Sequence, residues 1–92
     1  MRVSMLVGKR IQIKRKEIGM TVAELADRIS VSQQQLSRYE RGTNKISLEH
    51  LVDVSIALKT PADWFLEDCF NKTQVSVKNQ YAFVAETILD LY

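Results

Sequence analysis

Gln33, Gln34 and Arg38 are residues of this 92-residue chain whose types and spacing suit specific chemistry. A glutamine amide carries a donor and an acceptor that match the adenine edge, and a guanidinium fork matches guanine in the major groove. Gln34 and Arg38 stand four apart, so on a helix they share one face, one turn from each other. Chemistry of this kind is hydrogen-bonded recognition, and it requires a helix held rigidly against its partner.

Two helix-start signals about a dozen residues apart supply that helix. Thr21 with Glu24, and Ser32 with Gln35, each fit the S/T-x-x-E/Q capping box, in which two helix-end donors are satisfied reciprocally. Ser30, Val31 and Ser32 form the turn between two short helices, and the second, Gln33 to Arg41, sends Leu36 and Tyr39 to the core and ends at Gly42. A helix-turn-helix places its second helix in the major groove with its N-terminal residues facing base edges.

The remaining elements must build a support for that pair. Val7 to Ile18 reads as a first helix with Val7, Ile11 and Ile18 on one face and Lys9, Lys14 and Lys16 off it, closed by Gly19. In the second helix, Val22, Leu25, Ala26 and Ile29 face inward at three- and four-residue spacing. Ser47 caps a fourth helix through Leu58, with Leu48, Leu51, Val52, Ser55 and Leu58 on one stripe and Glu49 beside its N-terminus. Pro61 to Leu66 makes a short fifth helix with Trp64 and Phe65 as core plugs. Asn71 to Gln80 is polar, with Val75 and Val77 alternating as in a short strand, and Tyr81 to Tyr92 regains helical spacing.

Composition bounds the function. The length suits one domain, and 46% apolar with 26% charged residues lies in the ordinary globular range. Cut between Ile46 and Ser47, the chain holds ten Lys/Arg against four Asp/Glu in its first half, and three against seven in its second. The halves are therefore +6 and −4, a basic half for phosphates and an acidic half turned away from them. No apolar run approaches a membrane span, and the start MRVSMLVGKR is too short and too soon charged for a signal peptide, so a cytoplasmic location is expected.

Other reactive side chains have plainer readings. His50 has no second His or acid at hydrolase spacing, and it reads as a surface or capping residue. Cys69 follows Glu67 and Asp68, whose charges raise a thiol pKa rather than activate it. With one Cys and one His there is neither a disulfide framework nor a zinc ligand set. The expectation is no enzyme, no cofactor and no metal.

From Val7 to Leu66 the chain resembles the Cro and lambda-repressor-like (XRE-type) helix-turn-helix family. The resemblance is carried by Arg15 with Gly19 and Thr21, by Leu25–Ala26, and by Ser37-Arg38-Tyr39-Glu40-Arg41-Gly42. It implies an all-α, five-helix DNA-binding domain, here residues 5–69, and a C-terminal extension, residues 70–92. It implies base reading by Gln33, Gln34 and Arg38, and an Arg15–Glu40 pair tying the first helix to the recognition helix. Thr21, Gln35, Ser37, Arg41, Thr43, Asn44, Lys45 and Arg10 become candidates for phosphate or flanking contacts. The chain departs from the family at Val22, where a glutamine often contacts phosphate.

The tail bears on assembly. Tyr81, Val84, Ile88 and Leu91 recur at three, four and three residues, and twelve residues with such a seam are marginal as an isolated helix. They must dock on the chain's own core or on a second subunit. The second is favoured, because a homodimer sets two recognition helices ~34–36 Å apart on a near-palindromic operator in double-stranded DNA. RNA polymerase is a further partner if the chain activates transcription. Two alternatives stay open: an antitoxin or operon controller whose tail binds a partner protein, and an interaction module that has kept the fold without DNA binding.

Overall fold

The computed structural model describes residues 2–71, and they form five helices: α1 (Arg2–Ile18), α2 (Val22–Arg28), α3 (Gln33–Arg41), α4 (Leu48–Ala57) and α5 (Ala62–Asn71). The strand and helix expected beyond Asn71 lie outside the described residues. Thr21, Ser32 and Ser47 each cap the following helix, accepting the backbone N–H of Glu24, Gln35 and His50. Gly42 closes α3 in the left-handed conformation, with φ of 75°. That geometry suits glycine, and a side chain here would also meet Met5, an added Cβ lying 2.5 Å from its Cα.

The long α1 is the spine, packing on α3 along one side and on α5 along another. Its inner face is Val7, Gly8, Ile11 and Arg15. Around it Leu25, Ala26, Ile29, Leu36, Leu51, Val54, Leu58 and Phe65 close one apolar core. Gly8 allows the closest approach. An added Cβ there would overlap the Tyr39 carbonyl oxygen and stand 2.7 Å from that of Glu40, so α1 and α3 touch backbone to backbone.

Just beyond that contact lies a buried ion pair. Arg15 Nε donates to Glu40 Oε2 at 2.7 Å, Nη2 to Oε1 at 3.0 Å, and Nη1 to the Met20 carbonyl at 3.0 Å. The residues are only 6% and 7% exposed, and no buried side-chain polar atom among the described residues lacks a partner. The hydrogen bond to Glu40 is the main cause that raises the Arg15 pKa, so its charge is fixed at any working pH. One guanidinium thus ties α1, the α1–α2 turn and α3 together.

A second arginine ties α1 to α5. Arg10 Nε and Nη2 donate to the Asp68 carboxylate at 2.9 and 2.8 Å, and Nη1 donates to the Trp64 carbonyl at 3.1 Å. Its guanidinium carbon sits 4.4 Å from the Trp64 ring centre, and Lys14 Nζ lies 4.6 Å from it.

Several boundaries and faces differ from the sequence reading. Helix α1 starts at Arg2 rather than Val7, its first turns lying against Gly42, and α5 runs to Asn71 rather than Leu66, held by Arg10. Ile18 is 48% exposed, because the turn at Gly19 brings Met20 into the core in its place. Helix α4 buries Leu51 and Val54, and its cap residue Leu58, while Leu48 and Val52 face outward and Ser55 is half-buried, donating to the Thr60 carbonyl. Apolar residues spread over more than half of that helix's circumference, so its pattern does not name an inner face.

Two predictions follow from the ties. Glu40→Ala leaves a buried guanidinium without its carboxylate and is expected to cost about 3–5 kcal/mol, whereas Arg15→Met with Glu40→Leu costs less than either single change, as urea unfolding will show. For Arg10–Asp68, the hydrogen bond from Arg10 holds the Asp68 carboxyl below its usual pKa. A depressed carboxylate pKa stabilises the fold above the unfolded value and ceases to do so as pH falls through the folded value. Arg10, its own pKa raised chiefly by Asp68, stays charged throughout. The melting-temperature gap between wild type and Asp68→Asn is therefore expected to be constant above about pH 5 and to close in acid. A gap that persists unchanged there would show that the ion pair is not its source.

Candidate nucleic-acid interface

Helix α3 is held from behind and open in front. Leu36, Tyr39 and Glu40 are buried, and each faces a tie already described or the core. Gln33, Gln34, Arg38 and Arg41 are exposed, and their side chains make no hydrogen bond or ion pair among the described residues. Gln34 and Arg38 share a face as their spacing implies, with Gln33 at the helix start beside the Ser32 cap. Two amides and a guanidinium on a fixed helix offer donors and acceptors in the combination that base edges take.

The second capping box forms only by half. Ser32 Oγ accepts the Gln35 N–H at 3.0 Å, but Gln35 does not return the bond; its Oε1 accepts from Asn44 Nδ2 at 3.3 Å instead. An amide in the following loop reaches the first turn of α3 and competes for that oxygen. Gln35 and Asn44 are both half-buried and hold the loop to the helix. In the same loop the Thr43 N–H and hydroxyl both donate to the Arg38 carbonyl, at 3.0 and 3.3 Å, and Lys45 is exposed.

The box at α2 is complete. Thr21 N–H donates to Glu24 Oε1 at 3.0 Å, and the Glu24 N–H donates to Thr21 Oγ1 at 3.1 Å. The backbone bond from Thr21 holds the Glu24 carboxyl below the usual carboxylate range. The start of α2 therefore carries a negative charge. Val22 packs partly against the core, so that position offers no amide.

An open groove runs between α1, the start of α2 and α3, and joins Gln34, Ser37 and Arg41 to Gln12, Lys16 and Val22. The sequence reading did not name Gln12 and placed Lys16 only off the inner face of the first helix, although their four-residue spacing puts them on one side of α1, beside Arg15. Arg10, by contrast, lies on the α1–α5 side with its donors engaged by Asp68 and Trp64. It is part of the scaffold, and the phosphate contact expected for it is withdrawn.

His50 has a definite place. Its Nδ1 lies 2.9 Å from the Tyr39 hydroxyl, joining α4 to the inner side of α3. The Cys69 thiol pKa is raised as expected, but chiefly by burial, with Asp68 adding to it. Among the described residues no cluster of His, Cys, Asp and Glu could hold a metal, and no helix is long and apolar enough to cross a membrane.

Comparison with known proteins agrees with this geometry. A helix-turn-helix family model, HTH_3, matches residues 11–65. A transcriptional regulator from the ATPase CF(0) region of Rhodospirillum rubrum is 44% identical over 62 residues, covering 67% of this chain and 57% of that protein. This chain spans about half the length of the curated relatives it matches. Among solved structures, the clp gene regulator ClgR of Corynebacterium glutamicum aligns with a TM-score of 0.70 at 30% identity, covering 76% of this chain and 91% of that one. The c2 repressor of Salmonella phage P22, solved with a synthetic operator, aligns with a TM-score of 0.63 at 33% identity, covering 66% and 92%. With a family match across most of the five helices and repressor-type domains sharing the arrangement, the chain belongs to the Cro and lambda-repressor-like (XRE-type) family of helix-turn-helix transcriptional regulators.

Proposed function

We propose that this chain is a sequence-specific DNA-binding regulator that grips a near-palindromic operator as a homodimer, with α3 in the major groove. The observation that carries the reading is the outward face of α3, where Gln33, Gln34 and Arg38 are exposed and unengaged on a helix fixed from behind by Arg15–Glu40. The P22 repressor was solved on operator DNA, and this chain shares its fold. The basic first half of the sequence supports a phosphate-facing surface.

Roles follow from position. Gln33, Gln34 and Arg38 read bases. Thr21, Ser37, Arg41, Thr43 and Lys45 contact phosphate or flank the readers, and the Gln35–Asn44 bond sets the loop that carries Thr43 and Lys45. Binding alone does the work: the reading assigns no catalytic residue, and the protein acts in the cytoplasm, where its DNA is. Homodimerisation is assigned to the Tyr81, Val84, Ile88 and Leu91 seam.

The experiment compares two variants on a duplex that the protein selects. Arg38→Ala is expected to cost about 1–3 kcal/mol and to relax preference at one base position. Lys45→Ala is expected to weaken all duplexes evenly and to flatten the salt dependence by about one unit of slope. Equal losses on selected and random DNA from both changes would contradict the base-reading assignment.

A further inference from the structure

One groove of the domain is basic and apolar at once, and no residue of α3 lines it. It encloses about 500 Å³ where the last turns of α1 and α2 meet the end of α4, and it shares no residue with the groove beside α3. Ile18, 48% exposed, lies on its apolar side with Met20, while Lys14, Arg28 and Lys59 stand round it against one acid, Glu17. Lys14 takes that acid at 3.1 Å, whereas Arg28 and Lys59 make no ion pair or side-chain hydrogen bond among the described residues. Lys59 also has a φ of 50°, where glycine costs less strain, so a cation stands at the groove against a backbone preference.

Such a groove suits an occupant that is both apolar and anionic. A DNA phosphate brings charge without apolar surface. The segment Tyr81–Tyr92 brings both, for it holds Glu86 and Asp90 and no Lys or Arg. At helical spacing Phe83, Glu86, Leu89 and Asp90 fall on one face, opposite the seam of Tyr81, Val84, Ile88 and Leu91. A mixed face thus answers a mixed groove, and the seam stays clear of it.

Reach and size point to the same chain. Thr60, just before α5, lines the groove, and the ten residues of α5 carry the chain about 15 Å from there to Asn71. Residues 72–81 span up to about 33 Å, which is enough to return. The groove falls short of the roughly 20–30 residues a side of a standard interface, so an untethered partner would bind it weakly. A short linker holds its segment at an effective concentration of about millimolar, and a small contact then suffices.

We infer that the Tyr81–Tyr92 segment docks in this groove of its own chain by its Phe83, Glu86, Leu89 and Asp90 face, the two acids lying against Arg28 and Lys59. The contact turns the seam away from the domain. It requires neither an operator nor a second copy, so it stands or falls apart from the function proposed above.

Amide hydrogen exchange of the full chain tests the docking. Arg28→Glu with Lys59→Glu is expected to speed exchange over residues 81–92 about tenfold, as is Glu86→Lys with Asp90→Lys, and the four changes together are expected to recover part of the protection. Exchange over residues 2–71 checks that the domain stays folded, which the exposure of Arg28 and Lys59 favours. In a Cys69→Ser background, a dilute chain carrying Lys59→Cys and Asp90→Cys is expected to close a disulfide within itself faster than one carrying Glu49→Cys and Asp90→Cys. A disulfide formed only between chains would overturn docking on the same chain. Protection that is lost on dilution and indifferent to the charge at positions 28 and 59 would show contact between copies alone and overturn the groove as receptor. Free exchange over residues 81–92 of the wild-type chain at every concentration would overturn the docking altogether.

Discussion

The bidentate pair between Arg15 and Glu40 is the constraint on which the rest depends. A buried guanidinium and carboxylate repay their desolvation only when their geometry is good and their other donors are satisfied. Here two parallel bonds join them and the third goes to the Met20 carbonyl. The consequence is directional. Apolar packing alone would let α3 slide or roll along α1 at modest cost, whereas a planar fork accepts one orientation. Glu40 lies two residues beyond Arg38, so what fixes Glu40 fixes the rotation at which Arg38 and Gln34 face outward.

The surrounding contacts act in the same sense. Gly8 lets the two helix backbones meet, Gly42 lets the chain leave α3 against Met5, and the Tyr39–His50 bond holds the inner side of α3 to α4. On the far side of α1, Arg10 with Asp68 and Trp64 anchors α5. Two of the arginines of α1, five residues apart, therefore have separate duties. Arg15 positions the outward face of α3, and Arg10 secures the opposite side of the spine. Basic charge in the first half of the sequence is thus partly structural, since Arg10 and Arg15 are engaged by carboxylates while Lys9, Lys16, Arg41 and Lys45 are exposed.

Much of this was legible in the sequence because it rests on local rules. Thr21, Ser32, Ser47 and Gly42 mark helix ends by chemistry that acts within a few residues, and α3 has the bounds its cap and glycine imply. What was illegible depends on distant partners. Ser32 and Gln35 fit a capping box, yet Asn44 takes the Gln35 oxygen through the fold of the loop. Gly8 gives no sign of its role until α3 is placed against it. Arg10 looks like a phosphate ligand until Asp68, 58 residues away, is brought beside it. In α4 the abundance of Leu, Val and Ile hid the inner face, and the same abundance leaves Leu48 and Val52 facing outward. At the site, the types and face of Gln33, Gln34 and Arg38 were readable from spacing, while the groove shared with Gln12 and Lys16 emerges from how α1 crosses α3.

The most direct measurement is selection of binding sites from a random duplex pool by the purified chain at about 0.15 M salt, where phosphate attraction alone discriminates poorly. The account predicts an enriched near-palindrome whose half-sites lie about one helical turn apart. A pool that stays random at that salt, with the protein folded, would contradict base reading by α3.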